Sequence, residues 1–420
     1  MEKILNVEYA SIHGTYWMYY GVICSFASVF LLATGYSNSE IGLILAIGNV
    51  AAVILQPIVA DFADRSKKLS LIGISQLIVI LLMVLTVGML ILTHKSFVLS
   101  FVFVMLVAWL NVLQPLFNSL NFKLEECGIH INFGVCRSMG SLCYSILCAV
   151  LGVFVESRGI VVLPITGEIV LALLMFSLLI TKMHSNKAKK KHLSLVDIPD
   201  DNDSFENITE KAISELKVQP KVDDVEEEIN LLEFVKRNKL FLIVNIGIFG
   251  VFFSNSVLNN FMIQIVENVG GNSADMGKIF GVMAFLEIPT MFCFDWLRKR
   301  FSCSLMLKVA AIFFTLKIGF CYLANSVTMI YAAQLLQLFS FGLFLPAIVA
   351  FIDEIMSKGE AVKGQALFTM MTTVASVVAS LTGGVILDMS GAKLLTLIST
   401  IATGLGALVI IFTIDRVKKK

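Results

Sequence analysis

Long apolar runs alternate with short polar breaks along almost the whole chain, and the runs are long enough to cross a bilayer. A helix rises 1.5 Å per residue and the hydrocarbon core is about 30 Å thick, so about 20 apolar residues suffice. Twelve such runs recur, at about 9–33, 40–62, 69–92, 97–121, 134–155, 160–182, 240–265, 274–296, 304–324, 328–351, 364–387 and 392–414. A lone strand cannot satisfy its backbone in lipid, so each run predicts a helix. The plan is six spans, a long polar interruption, and six spans again. It predicts an all-α integral membrane protein of twelve transmembrane helices. Two six-helix bundles, residues 1–182 and 240–420, are joined by a linker at 183–239.

The halves echo each other. Sliding residues 39 to 65 by 235 positions pairs the second and eighth spans without a gap. Glu40 then meets Asp275, Gly42 meets Gly277, Ile44 meets Ile279 and Arg65 meets Arg300, while Ala52 falls opposite Glu287. A weaker echo links Gly152, Glu156 and Gly159 with Gly384, Asp388 and Gly391. Internal repeats of this kind build many secondary transporters, with the binding site between the repeats near the bilayer midplane.

Composition sharpens the picture. With 57% hydrophobic and only 15% charged residues, the chain lacks the stock for a water-soluble surface. The net charge of +1 gives no reason to invoke nucleic acid; the placement of charge carries the information. Lys and Arg concentrate on one side: Arg65, Lys67, Lys68, Lys123, the Lys187–Lys191 cluster, Arg298–Arg300, Lys358, Lys363 and the tail from Arg416. The other side holds Lys95, Arg158, Lys278 and Lys393. This asymmetry predicts both termini and the linker in the cytoplasm, in a plasma or inner membrane. No cleavable signal peptide is evident, because residues 9–33 form a full span. The eight Cys show no metal-ligand spacing and read as small apolar residues, so neither a metal nor a cofactor is expected. The linker opens basic at Lys187–Lys191, turns acidic over Asp197–Asp203 and Asp223–Glu228, and ends in an amphipathic stretch at Ile229–Val235. The basic start suits anionic lipid heads, and the remainder reads as a tether or a regulatory docking segment.

The candidate chemistry centres on two charges. Glu287 and Lys317 lie in spans eight and nine, joined by the basic turn Arg298–Arg300, and both fall roughly 15 to 20 Å deep. An ionisable group there costs at least ~2.5 kcal/mol, so each needs a partner or a wet cavity. A packing ion pair and a proton or solute pathway are the two readings. Span seven adds a polar seam, with Asn255 and Asn259 one turn apart on a shared face and Asn260 and Gln264 nearby. Amides at that spacing suit a polar solute or an interhelical hydrogen bond. Gln334 and Gln337 in span ten divide the same way, and His13 reads as structural.

Two motifs resemble known families. After span two, Ala60, Asp64, Arg65 and Lys68 are similar to the signature of the major facilitator superfamily, although Lys67 stands where that signature has Gly. The resemblance implies a gating role for Asp64 and Arg65, with Asp64 latching the cytoplasmic side. Tyr16-Trp17-Met18, Leu55-Gln56-Pro57, Asn132 to Tyr144 and Glu287-Ile288-Pro289 resemble the lactose-permease-like branch of proton symporters for sugars and related solutes. There the arginine of a Phe-Gly-x-x-Arg-x-x-Gly segment grips the sugar, and an aromatic seven residues on stacks upon it. The resemblance carries these roles to Arg137 and Tyr144, and a binding-site role to Glu287, with Lys317 near the place of a ninth-helix arginine. The chain departs from that branch elsewhere: Ser119, flanked by Asn118 and Asn121, replaces a carboxylate, Phe341 and Phe344 replace His and Glu, and Thr372 replaces a lysine. A galactoside substrate therefore does not follow.

Together these features lead to a secondary transporter, not an enzyme. The expectation is a monomeric proton symporter importing a small polar organic solute, with a sugar or oligosaccharide ahead of a nucleoside or aromatic acid. Glu287 and Lys317 would couple the proton; Arg137, Tyr144, Asn118, Asn255 and Asn259 would bind the solute. Arg137 could equally snorkel at the end of its helix. The alternatives are an efflux antiporter for amphipathic compounds, disfavoured by the absence of Pro between Arg137 and Glu156, and a transporter-derived membrane sensor.

Overall fold

The computed structural model describes residues 2–66, 69–125, 131–195 and 237–417. The acidic and amphipathic parts of the linker, Lys67, Lys68, Cys127 and the final lysines lie outside the described residues.

Every described span is helical. Helices α1 (Glu2–Tyr20) and α2 (Ala27–Ala33) form one bent span; α3 (Asn38–Arg65), α4 (Leu71–Ile91), α5 (Phe97–Glu125), α6 (Phe133–Arg158) and α7 (Val162–Leu195) follow. In the second half, α8 (Lys239–Asn260) and α9 (Met262–Glu267) share a span, then come α10 (Ser273–Arg298) and α11 (Cys303–Leu323). Helices α12 (Val327–Gln334) and α13 (Phe341–Ile355) share the tenth span, and α14 (Lys358–Thr413) completes the chain. A straight helix of the 56 residues of α14 would be roughly 84 Å long, far beyond a bilayer. It doubles back at Gly391, whose φ of 77° is readily adopted only by glycine, and so supplies two spans. Twelve crossings result, with both termini on one face, called here the terminal face. The sequence places a boundary at 182, but the sixth-span helix runs on unbroken to Leu195.

Polar breaks become caps. Ser37, Ser70, Asn132, Asn272, Ser302 and Ser326 each accept a hydrogen bond from the backbone three residues on, satisfying N–H groups that a new helix leaves without partners. Large apolar side chains such as Val84, Phe176, Leu405 and Phe412 face outward, a surface that only lipid can solvate.

The helices sort into two bundles. In the first, α1 packs on α6 and α7, and α4 and α3 pack on α5. In the second, α14 packs on α8 and α11, and α13 packs on α10 and α11. Two helix pairs join the bundles, α3 with α14 and α6 with α10. They meet tightest at the face opposite the termini. A Cβ on Gly42 would lie 2.1 Å from the Ser380 carbonyl oxygen, and one on Gly277 would lie 2.4 Å from that of Cys148. Only glycine permits those crossings, so the passage between bundles is shut at this face.

Candidate functional site

Three spans lose regular helix around one cavity between the bundles. Residues Gly21–Ser25 wind as a wide π turn, α8 ends at Asn260, and Leu335–Leu338 tighten into a 3-10 turn. Irregular backbone at membrane depth is tolerated where it is buried in protein or lines a cavity, and π turns recur at functional sites. All three breaks supply lining residues: Cys24 and Ser25, Asn259 and Asn260, and Gln337. The cavity encloses about 200 Å³, room for one small solute.

The first bundle contributes an aromatic and cationic wall. Arg137, one turn into α6, lies 4.3 Å over the ring of Trp17 on α1. The ring face attracts the cation and fixes the guanidinium plane while leaving its edge N–H groups available. Tyr144 stands two turns further along α6, and its hydroxyl shares a 2.6 Å hydrogen bond with Ser25 of the π turn. Tyr20 completes this side.

The second bundle contributes the carboxylate. Glu287 faces the cavity from α10, with Asn255, Asn259 and Phe341 beside it. Its carboxylate accepts a 2.8 Å hydrogen bond from the Gln337 amide, whose oxygen in turn accepts a 2.7 Å bond from the Lys317 ammonium. Lys317 only donates and an ionised carboxylate only accepts, so the amide bridges them in one orientation. Gln337 is held there by its turn, since the Thr290 hydroxyl donates to the Leu338 carbonyl at 3.0 Å. Lys317 is 1% exposed and lies 5.1 Å from the Phe314 ring.

The arrangement corrects parts of the sequence reading. Glu287 and Lys317 do not meet; Gln337 stands between them, and Lys317 is set behind the cavity wall. Asn118 is half-buried and does not line the cavity. Asp64 is exposed and has no hydrogen bond or ion pair among the described residues, and Arg65 pairs instead with Asp61 at 2.8 Å. Among the described residues, Asp64 thus forms no latch at the terminal face. His13 is buried against Tyr9 and Phe133. Arg137, Tyr144, Asn255, Asn259 and Glu287 do come together. Sequence spacing could not find the Gln337 bridge or the Trp17 platform, since both pair residues on different helices. The usable signal was an amide and a Trp inside apolar spans.

The bridge makes a stability prediction. Gln337→Leu removes the only hydrogen-bond acceptor described for a fully buried ammonium, a loss of about 1.5 to 3 kcal/mol. A lowered thermal midpoint is expected in detergent, and Gln337→Leu with Lys317→Met should recover it, because replacing both partners removes the stranded charge. An unchanged midpoint in the single variant would show that the bridge holds nothing.

Residues 9–397 match the family described as the MFS_1 like family. A comparison with curated proteins returns no match. Among solved structures, the chain is similar to the nucleoside transporter NupG, at 13% identity and a TM-score of 0.70, covering 99% of this chain and 100% of that one. A D-xylose-proton symporter gives 14% identity and 0.66, covering 99% of each chain. A POT family transporter in complex with a thioalcohol-conjugated peptide gives 12% and 0.69, covering 99% and 97%. Those likenesses show the fold, and the family match extends over most of the sequence. The chain belongs to the MFS_1-like family and is a multi-pass membrane transporter of the major facilitator type, not an enzyme.

Proposed function

We propose that the protein is a proton-coupled symporter that imports one small polar organic solute by rocking its two bundles about the cavity. The observation that carries this reading is the pairing of Arg137 on one bundle with Glu287 on the other across a single cavity lined by Trp17, Tyr144, Asn255 and Asn259. A guanidinium fork recognises hydroxyl or carboxylate oxygens, amides match a polyol edge, and aromatic faces take the apolar face of a ring. A sugar fits this set first and a nucleoside or aromatic acid second.

Glu287 serves as the proton site in this scheme. Ionised, it holds Gln337 and feels Lys317 through it. Protonated, it gains a donor of its own and releases that pull, so the carboxyl group is neutral when it crosses between the two faces. Solute and proton bind in one state and leave together in the other. The bias of basic residues puts the terminal face in the cytoplasm of a plasma or inner membrane, with the protein acting as a monomer surrounded by lipid.

A thermal-stability screen of the purified protein against sugars, nucleosides and aromatic acids tests the substrate class. Binding stabilises by RT ln(1 + [L]/Kd), about 2.7 kcal/mol at a hundredfold excess over Kd. A clear upward shift with a member of the sugar set is expected. A shift confined to hydrophobic cations, with none from any polar solute, would turn the reading toward efflux.

A further inference from the structure

The cavity's closed face carries a device that the transport reading leaves unused. The first N–H groups of a helix have no partner within it and carry the positive end of its dipole. In α3 these donors can be followed one by one. Ser37 N–H goes to the Glu40 carboxylate and Glu40 N–H to the Ser37 hydroxyl, both within the helix's own capping box. Asn38 and Ser39 remain, and both are satisfied from the other bundle by Asp388 of α14. The Asn38 N–H donates to Oδ1 at 3.1 Å and the Ser39 N–H to Oδ2 at 2.8 Å. The Asn38 amide and Ser39 hydroxyl donate to the same carboxylate, at 2.9 and 2.5 Å. Gln264 of α9 adds a 2.8 Å bond to the Asn38 side-chain oxygen.

The internal repeat builds a second copy. Glu156 matches Asp388 in the echo between the fifth and eleventh spans, and Ser273 corresponds to Asn38 one step before the pairing of the second and eighth. Glu156 of the first bundle accepts from the Ser273 N–H at the start of α10, at 3.2 Å. Each carboxylate follows a glycine one turn earlier, Gly384 or Gly152, that lets the opposing helix start come into contact.

We infer that Asp388 and Glu156 are gate residues, a pseudo-symmetric pair of carboxylates that hold the face opposite the termini shut by capping helix starts across the bundle interface. Each bundle's helix start is completed by the other's acid, so opening this face strips both starts of their cross-bundle bonds and leaves only their own capping boxes. Asp388 makes four bonds where Glu156 makes one and is the stronger latch. The device is indifferent to the solute and to the coupling ion, so it stands or falls separately from the symport reading.

Hydrogen exchange of the full chain, read by mass spectrometry on peptides over 38–42, 273–277 and the terminal-face ends at 56–66 and 292–300, tests it. In Asp388→Ala, exchange at 38–42 should rise by roughly tenfold, the worth of a hydrogen bond to a charged group. Because the bundles move as bodies, exchange at 273–277 should rise too, while the terminal-face segments become more protected. Glu156→Ala should give the same pattern more weakly, and Asp388→Glu should restore most of the protection. A rise confined to 38–39 would reduce Asp388 to a local cap. No rise at all, or a rise in all four segments, would also overturn the inference.

Discussion

Replacing Glu287 by Gln should leave a transporter that exchanges solute but cannot concentrate it. The amide keeps the size of the carboxyl group and can still bond Gln337, so the cavity keeps its shape, but it cannot take up a proton. For one proton per solute, a gradient of one pH unit is worth about 1.4 kcal/mol, a tenfold accumulation. In proteoliposomes bearing such a gradient, the wild-type ratio should approach that value and the variant should settle at about one. Counterflow of labelled against unlabelled solute should persist in the variant. Uphill accumulation at the wild-type level would remove Glu287 from coupling. The Gln337 bridge adds a refinement: Lys317→Met removes one of the two positive charges that act on the carboxylate and leaves Arg137, so coupling should weaken while the geometry of the cavity survives.

Arg137→Lys should weaken solute binding by roughly ten- to a hundredfold, the range expected for losing hydrogen bonds to a charged group. The substitution preserves charge but loses the planar fork, and an ammonium cannot lie flat on Trp17 as the guanidinium does. Titration of the purified variant against whichever solute stabilises the wild type measures this. Expression and thermal midpoint should change little, because Arg137 has no ion pair to lose among the described residues and its platform lies beside the cavity. Wild-type affinity in the variant would show that the side chain merely caps its helix end.

The architecture was legible because the bilayer imposes a length and a polarity on each span that few other environments demand. The breaks within spans were not. Nothing in Gly21–Ser25 announces a π turn, and in the tight turn at Leu335–Leu338 the one polar residue, Gln337, carries no signal of a change in winding. Both breaks sit where several helices pack together, and no single helix records that packing. Asn118 shows a related gap: position along a span does not say which side chains line a cavity between helices. Glu287 and Lys317 stood out by the cost of burying them, yet that cost could not name Gln337 as the group between them. The repeat was more informative than it first looked. The echo of Glu156 in Asp388 and of Gly42 in Gly277 marks the places where the two bundles touch, since residues that meet across a pseudo-two-fold relation come in matching pairs.

The most direct test is solute-evoked proton movement. Wild-type protein in proteoliposomes loaded with a pH-sensitive dye, with no initial gradient, should acidify the lumen when a stabilising sugar or nucleoside is added outside, and Glu287→Gln should abolish the signal while solute still enters. Entry of the solute into wild-type vesicles with no change in lumenal pH would contradict the assignment of Glu287 as the proton carrier.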